Sequence, residues 1–197
     1  MIVSCTIAFF LGACFGVIPF SYLIARIRGT NLRSTGSGNI GATNLGRAMG
    51  LPFFIIGFIL DGLKGLVPVI LAQNLAYPAA CAGAGAILGH IFNPLFAFRG
   101  GKGVSTTIGV ALALMPRSFV VAMAVWVVTY LVTSIVSLAS LAFAVSLVLV
   151  SFIFAEATPF DRIFIIVMAF FIIVAHRANI ARLLQGQEPK TNIWRKQ

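Results

Sequence analysis

The sequence predicts an all-α integral membrane protein of about seven transmembrane helices, with cytoplasmic Gly-rich loops, its N-terminus outside and its C-terminus inside. Three observations predict it. Apolar residues make up 60% of the 197-residue chain and charged ones only 9%, where a soluble domain carries about a quarter charged. The mean hydropathy is +1.05, and the uncharged stretches 1–25 and 118–155 are of membrane-spanning character. Basic residues stand at the ends of apolar runs. Despite a net charge of +10, that placement marks topology determinants and anion sites, not a nucleic-acid surface.

A spanning helix needs about 20 apolar residues, so polar interruptions divide the chain. Residues 2–25 form the first span; they lack a basic n-region and exceed a signal peptide's apolar core, so they read as retained. The second covers 51–71. Gln73, Asn74, Tyr77 and Pro78 separate it from a third at 79–98, and 103–115 is a short fourth segment. As one helix, 118–155 would be about 57 Å long, too long for one crossing, so it folds back at Thr133, Ser134, Ser137 and Ser140 into spans five and six. Residues 163–175 are the seventh, expected to run a turn further with Arg177 snorkelling to the interface. No repeat or linker appears, so 1–197 reads as a single membrane-embedded domain.

The positive-inside rule fixes the orientation. With the N-terminus outside, Arg26, Arg28, Arg33, Arg47, Arg99, Lys102, Arg177, Arg182, Lys190, Arg195 and Lys196 face the cytoplasm. Arg117 and Arg162, with Glu156 and Asp161, face out. Cys5, Cys14 and Cys81 lie in apolar sequence without Cys-x-x-Cys spacing and read as buried small hydrophobes.

Three polar clusters interrupt the apolar background, all on the cytoplasmic face, and suggest one site for a small phosphorylated molecule. In Gly36-Ser37-Gly38-Asn39-Ile40-Gly41-Ala42-Thr43-Asn44, followed by Arg47, small residues alternate with hydrogen-bond donors and no acid intervenes, which suits an anion better than a mere solvated turn. Arg99-Gly100-Gly101-Lys102-Gly103-Val104-Ser105-Thr106 resembles a phosphate loop. It is not a Walker A sequence, because Gly103 follows Lys102 where Ser or Thr is required. What remains is mobile backbone donors, Lys102 and the start of the next helix; Arg99 is as readily a topology determinant. The third cluster is His176-Arg177-Ala178-Asn179-Ile180-Ala181-Arg182, where His176 and Asn179 share a face if helical.

His90, near the end of span three, reads as a hydrogen-bonded structural histidine. Asp61 and Lys64, three apart in span two, read foremost as a structural ion pair, with a substrate contact by Lys64 as the alternative. Gly83, Gly85 and Gly89 read as close helix packing. The chain has no carboxylate cluster for Mg²⁺, no His/Cys cluster for zinc, and no His followed five residues later by Asp. Four acidic residues leave little for a protein-borne base, so an enzyme of this composition would use a substrate already activated.

These residues resemble the bacterial acyl-phosphate:glycerol-3-phosphate acyltransferase family, the PlsY type. The resemblance rests on Gly36 to Asn44 with Arg47, on Gly89-His90-Ile91-Phe92 leading to Gly100-Gly101-Lys102-Gly103, and on His176-Arg177-Ala178-Asn179-Ile180 with Arg182-Leu183, Gly186 and Glu188. Arg99 stands where the family has lysine. The resemblance implies a multi-pass enzyme of the bacterial cytoplasmic (inner) membrane, acting on its cytoplasmic side. It would transfer a fatty acyl group from acyl phosphate to the 1-hydroxyl of glycerol 3-phosphate, without cofactor or metal. Ser37, Lys102, His176 and Asn179 would be catalytic. Gly36, Gly38, Asn39, Gly41, Thr43, Asn44, Arg47, Gly101, Gly103 and Ser140 would bind substrate or its phosphate. The expected partners are acyl phosphate, glycerol 3-phosphate and membrane lipids, with no nucleic acid, and the enzyme is expected to be a monomer. A transporter of a phosphorylated solute is the alternative from another class, and a lipid-binding scaffold a third.

Overall fold

The structure, a computed structural model, describes residues 1–154 and 156–191. Arg195 and Lys196, expected on the cytoplasmic side, and the last residue of the 118–155 stretch lie outside the described residues. Ten α-helices and no strand are found among the described residues: α1 (Ile2–Gly16), α2 (Phe20–Ile27), α3 (Ala42–Met49), α4 (Leu51–Asn74), α5 (Ala79–Ile91), α6 (Val104–Leu114), α7 (Pro116–Thr133), α8 (Val136–Ser151), α9 (Pro159–Ala175) and α10 (Arg177–Leu184). A short 3₁₀ turn, Pro94–Phe96, follows α5. The chain forms two compact units, Met1–Val110 and a second beginning at Ala111.

Among the described residues, four stretches are long and apolar enough to cross a membrane: Ile2–Ile27, Leu51–Asn74, Ala79–Phe96 and Pro116–Thr133. A fifth is added if α9 and α10, bent by 61°, count as one span. The shorter apolar helices α6 and α8 coincide with the expected fourth and sixth segments.

In the first unit, α1 and α5 pack along a seam of small residues. A Cβ on Gly12 would overlap the Ala82 carbonyl, and one on Gly85 the Phe9 carbonyl, so only glycine permits this approach. The expected packing role of Gly85 and Gly89 is thus borne out. The same closeness overturns the cysteine expectation. Cys5 and Cys81 are joined in a disulfide, their Cα atoms 5.5 Å apart. Cys14 remains a free thiol.

The first span is broken between Gly16 and Phe20, where Pro19 has no N–H to continue the ladder. Carbonyls freed at such a break need partners when water is excluded. Asn93 Nδ2 donates to Val17 O at 2.7 Å and Lys64 Nζ donates to Ile18 O at 2.7 Å. Lys64 also lies 3.1 Å from Asp61 Oδ1, and Ser21 Oγ donates to Asp61 Oδ2 at 2.7 Å. The expected Asp61–Lys64 pair is present and buried, and it fastens the break to α4.

In the second unit the predicted fold-back is found between α7 and α8. Ser134 takes the left-handed conformation (φ 58°) after Thr133, and α8 begins at Val136. Ser137 and Ser140 are not in the turn but buried in α8. At the far end, Glu156 accepts from the Arg117 and Ser118 amides that open α7, at 3.0 and 2.6 Å, satisfying donors a helix start leaves unpaired. Thr158 and Asp161 form a capping box that starts α9. The expectation that this helix runs a turn past Ala175 is not met. His176 is the corner at which the chain turns into α10.

Candidate active site

The first polar cluster is held by Asn44. Its Oδ1 accepts the Ser37 N–H at 3.0 Å, and its Nδ2 donates to the carbonyls of Leu32, Thr35 and Asn39 at 3.1, 2.9 and 2.8 Å. Gly36, at φ 56°, lies where a Cβ would overlap Asn44 Oδ1, so the tie requires glycine. Leu32, Leu45 and Ala25 form the small apolar core that supports the loop.

These bonds commit part of the loop's backbone to the loop's own fold. The amides of Ser37, Gly38 and Gly41 are spent on Asn44 Oδ1, Thr35 O and Asn39 Oδ1. Asn44, expected to bind phosphate, is committed to the loop framework. Beside this framework stand the exposed Ser37, the half-buried Asn39 and Thr43, and Arg47, one turn along α3 from Asn44 on the same face.

The second loop folds back on the end of α5. Gly100 N donates to Ile91 O at 2.9 Å and Gly101 N to His90 O at 3.1 Å. Gly101 is therefore a folding residue rather than an amide donor to a ligand. Gly103, at φ 81°, turns the chain into α6. The half-buried Lys102 stands just ahead of that helix start, whose first amides lack intrahelical partners. A cation at a helix N-terminus is the kind of arrangement that suits an anion. Arg33, previously only a topology charge, joins the two loops: its guanidinium donates to the Arg99 carbonyl and stacks 4.9 Å from the Phe96 ring centroid. Position 99 thus contributes its backbone, which any residue supplies.

The third cluster lies in the second unit. His176 is 2% exposed, and its Nδ1 donates to Ile172 O at 2.8 Å, because a carbonyl can only accept. In the neutral ring that leaves Nε2 as the accepting nitrogen, the tautomer a general base or an orienting acceptor requires. Asn179 donates to Glu188 Oε1 at 2.5 Å, which Ser137 Oγ also reaches at 2.7 Å, and Arg182 Nε meets Glu188 Oε2 at 2.6 Å. Burial acts to raise the Glu188 pKa, but hydrogen bonds from Arg182, Ser137 and Asn179 and the Arg182 charge outweigh it and hold the carboxyl below the ordinary 4.5. The tail stays docked through Thr191, whose N–H donates to Ser134 O and whose carbonyl accepts from the Tyr130 hydroxyl.

Ser140 donates its one proton to Val136 O at 2.8 Å and accepts from Trp126 Nε1 at 3.4 Å, so in this arrangement it has no proton for a phosphate. Ser137 is the serine tied to the His176–Arg182 cluster. Sequence reasoning missed it. The available signal was the helical spacing of Ser137 and Ser140 and an acidic Glu188 in a basic tail.

The family model for glycerol-3-phosphate acyltransferase matches residues 4–186. The glycerol-3-phosphate acyltransferase of Thermosipho melanesiensis is 40% identical over 186 residues, covering 93% of this chain and 91% of its own. That of Aquifex aeolicus is 39% identical over 178 residues, covering 88% and 92%. The fold is similar to crystal structures of PlsY (YgiH), an integral membrane glycerol 3-phosphate acyltransferase. The glycerol 3-phosphate form has a TM-score of 0.85 at 36% identity, covering 96% of this chain and 94% of that one. The lysophosphatidic acid form has a TM-score of 0.83 at 34% identity, with the same coverage. By a match that runs through all three polar clusters, the chain belongs to the glycerol-3-phosphate acyltransferase family.

Proposed function

We propose that the protein is an acyl-phosphate-dependent glycerol-3-phosphate 1-O-acyltransferase of phospholipid biosynthesis. The observation that carries this reading is the family match over 4–186, which includes the Ser37, Lys102 and His176 clusters together. The 1-hydroxyl oxygen attacks the acyl carbonyl, the bond from that carbon to the phosphate oxygen breaks, and inorganic phosphate leaves. Lysophosphatidic acid is the other product. An acyl phosphate already carries a good leaving group, so positioning and charge stabilisation supply much of the catalysis. Ser37, Arg47 and Lys102 hold substrate phosphates, with Asn39 and Thr43 as further donors. His176 orients the acceptor hydroxyl or meets charge at the reacting carbonyl, and Asn179, held by Glu188, supports it. The hydroxyl proton passes to a substrate phosphate, and the reaction balances without a cofactor.

The same reading sets the protein in the bacterial inner membrane as a monomeric single domain of about seven spans, its chemistry on the cytoplasmic side. The acyl chain enters from the bilayer. Supporting the orientation, Cys5 and Cys81 stand at the starts of α1 and α5, the ends assigned to the outside, and disulfides persist in oxidising compartments. The test is phosphate release from palmitoyl phosphate by purified protein, with and without glycerol 3-phosphate. Acceptor-dependent release with formation of lysophosphatidic acid is expected. Uptake of glycerol 3-phosphate into liposomes without any such release would favour a transporter instead.

A further inference from the structure

The sequence reading of His90 as a hydrogen-bonded structural histidine leaves one ring nitrogen unaccounted for. His90 is 5% exposed, at the last turn of α5, and its Nδ1 has no hydrogen-bond partner. A buried imidazole with an unsatisfied nitrogen is a poor choice for filling space, which an apolar side chain of similar size would do without that cost. Its surroundings give the reason for its place. Gly101 lies against the Nε2 end of the ring: a Cβ there would overlap Nε2, with Cε1 and Cδ2 close behind. The His90 carbonyl accepts the Gly101 amide, and a Cβ on Gly100 would overlap that same oxygen. The residue therefore meets the loop twice, by its main chain and by the Nε2 end of its side chain. The next residue is Lys102.

We propose that His90 is the positioning residue for the Arg99–Gly103 loop: the Nε2 end of its imidazole is the stop that sets how closely Gly101 approaches, and through it the placement of Lys102 at the start of α6. A ring packed end-on against a glycine leaves no room for a larger residue there. Enlarging Gly101 pushes the loop off its seat, and removing the ring lets the loop sink. The two defects have opposite sense, so each relieves the other, which two independent structural lesions would not do. The proposal rests on the acyltransferase reading for its rate measurements, and on the loop geometry alone for its suppression.

The experiment is a double-mutant cycle on purified enzyme, with Gly101→Ala, His90→Ala and the double variant, each checked for a cooperative thermal transition in detergent. Initial rates are taken against palmitoyl phosphate and glycerol 3-phosphate separately. Gly101→Ala is expected to lose at least 100-fold in kcat/KM, and the double variant to regain at least tenfold of it. His90→Ala alone is expected to raise KM for one phosphate substrate at least tenfold with kcat within threefold. His90→Gln, which restores polar bulk, is expected to return KM to within threefold of the wild type. If His90→Ala fails to fold, His90→Gln serves in the cycle, because its flexible end yields to the new methyl and the same regain is expected. A folded double variant no better than Gly101→Ala overturns the proposal, as does a fully active Gly101→Ala. Wild-type protein without acceptor-dependent phosphate release would instead count against the acyltransferase reading. The cycle would then be read from the stabilisation of each variant by inorganic phosphate in thermal unfolding.

Discussion

Asn179 and Glu188 are joined by a hydrogen bond of 2.5 Å, so the asparagine of the third cluster is positioned by a carboxylate nine residues further along the chain. That carboxylate also binds Ser137 and Arg182, and it is 8% exposed. One group therefore organises α8, α10 and the tail.

The pH dependence follows from its lowered pKa. A carboxyl more acidic folded than unfolded contributes stability above the unfolded value near 4.5, and that contribution is lost as pH falls through the folded value. Thermal unfolding in detergent should show a transition temperature that falls as pH drops below about 4.5. Glu188→Gln should flatten that fall and lower stability at pH 7. An unchanged acid profile in the variant would assign the effect to another group.

Asn44 should tolerate neither truncation nor charge. Asn44→Ala strands three carbonyls and one amide of the loop, at a cost of about 1–3 kcal/mol. Asn44→Asp should be at least as damaging, because it directs a carboxylate at the carbonyls of Leu32, Thr35 and Asn39. Limited proteolysis at residues 36–41, alongside the transition temperature, reads both effects; wild-type resistance in the aspartate variant would contradict the geometry.

Lys102→Ala should reduce kcat/KM by about 100-fold or more, the usual cost of removing a group that stabilises transition-state charge. Lys102→Arg keeps the charge and should retain more turnover. By contrast, Arg99→Ala should have a much smaller effect, since the Arg33 bond goes to the backbone at that position. Phosphate release with both substrates varied decides between them.

Cys5→Ser should lower stability by about 2–4 kcal/mol, as loss of a native cross-link commonly does. Turnover at a temperature where the variant stays folded should keep the wild-type KM values. Treating the wild-type enzyme with a reductant should reproduce the lowered transition temperature, and insensitivity to reductant would argue against the bond.

Most of the helical layout was legible because hydropathy and polar punctuation act locally. The Ser134 turn, the Asp61–Lys64 pair and the glycine seam were all readable as spacing. What escaped depends on contacts between distant residues. Nothing near Cys5 reveals Cys81, since their pairing follows from how closely two glycine-bearing helices approach. The Ser37 loop and the Lys102 loop stood out by composition as candidate anion sites. Which of their amides remain available was not, because that depends on Asn44 and the end of α5. Likewise the serines of α8 read as a turn until Glu188 is seen to reach Ser137.

A proline-broken membrane helix is usually regarded as a hinge. Here the break at Val17–Ile18 is pinned by two side chains, Asn93 just beyond α5 and Lys64 on α4. To straighten, α1 and α2 would have to withdraw a carbonyl from an ammonium in a setting with no water to replace it. The joint therefore acts as a rivet, and α2 leads from it straight toward the Ser37 loop. Substitutions at Lys64 or Asn93 should therefore loosen the approach to the Ser37 loop without touching it.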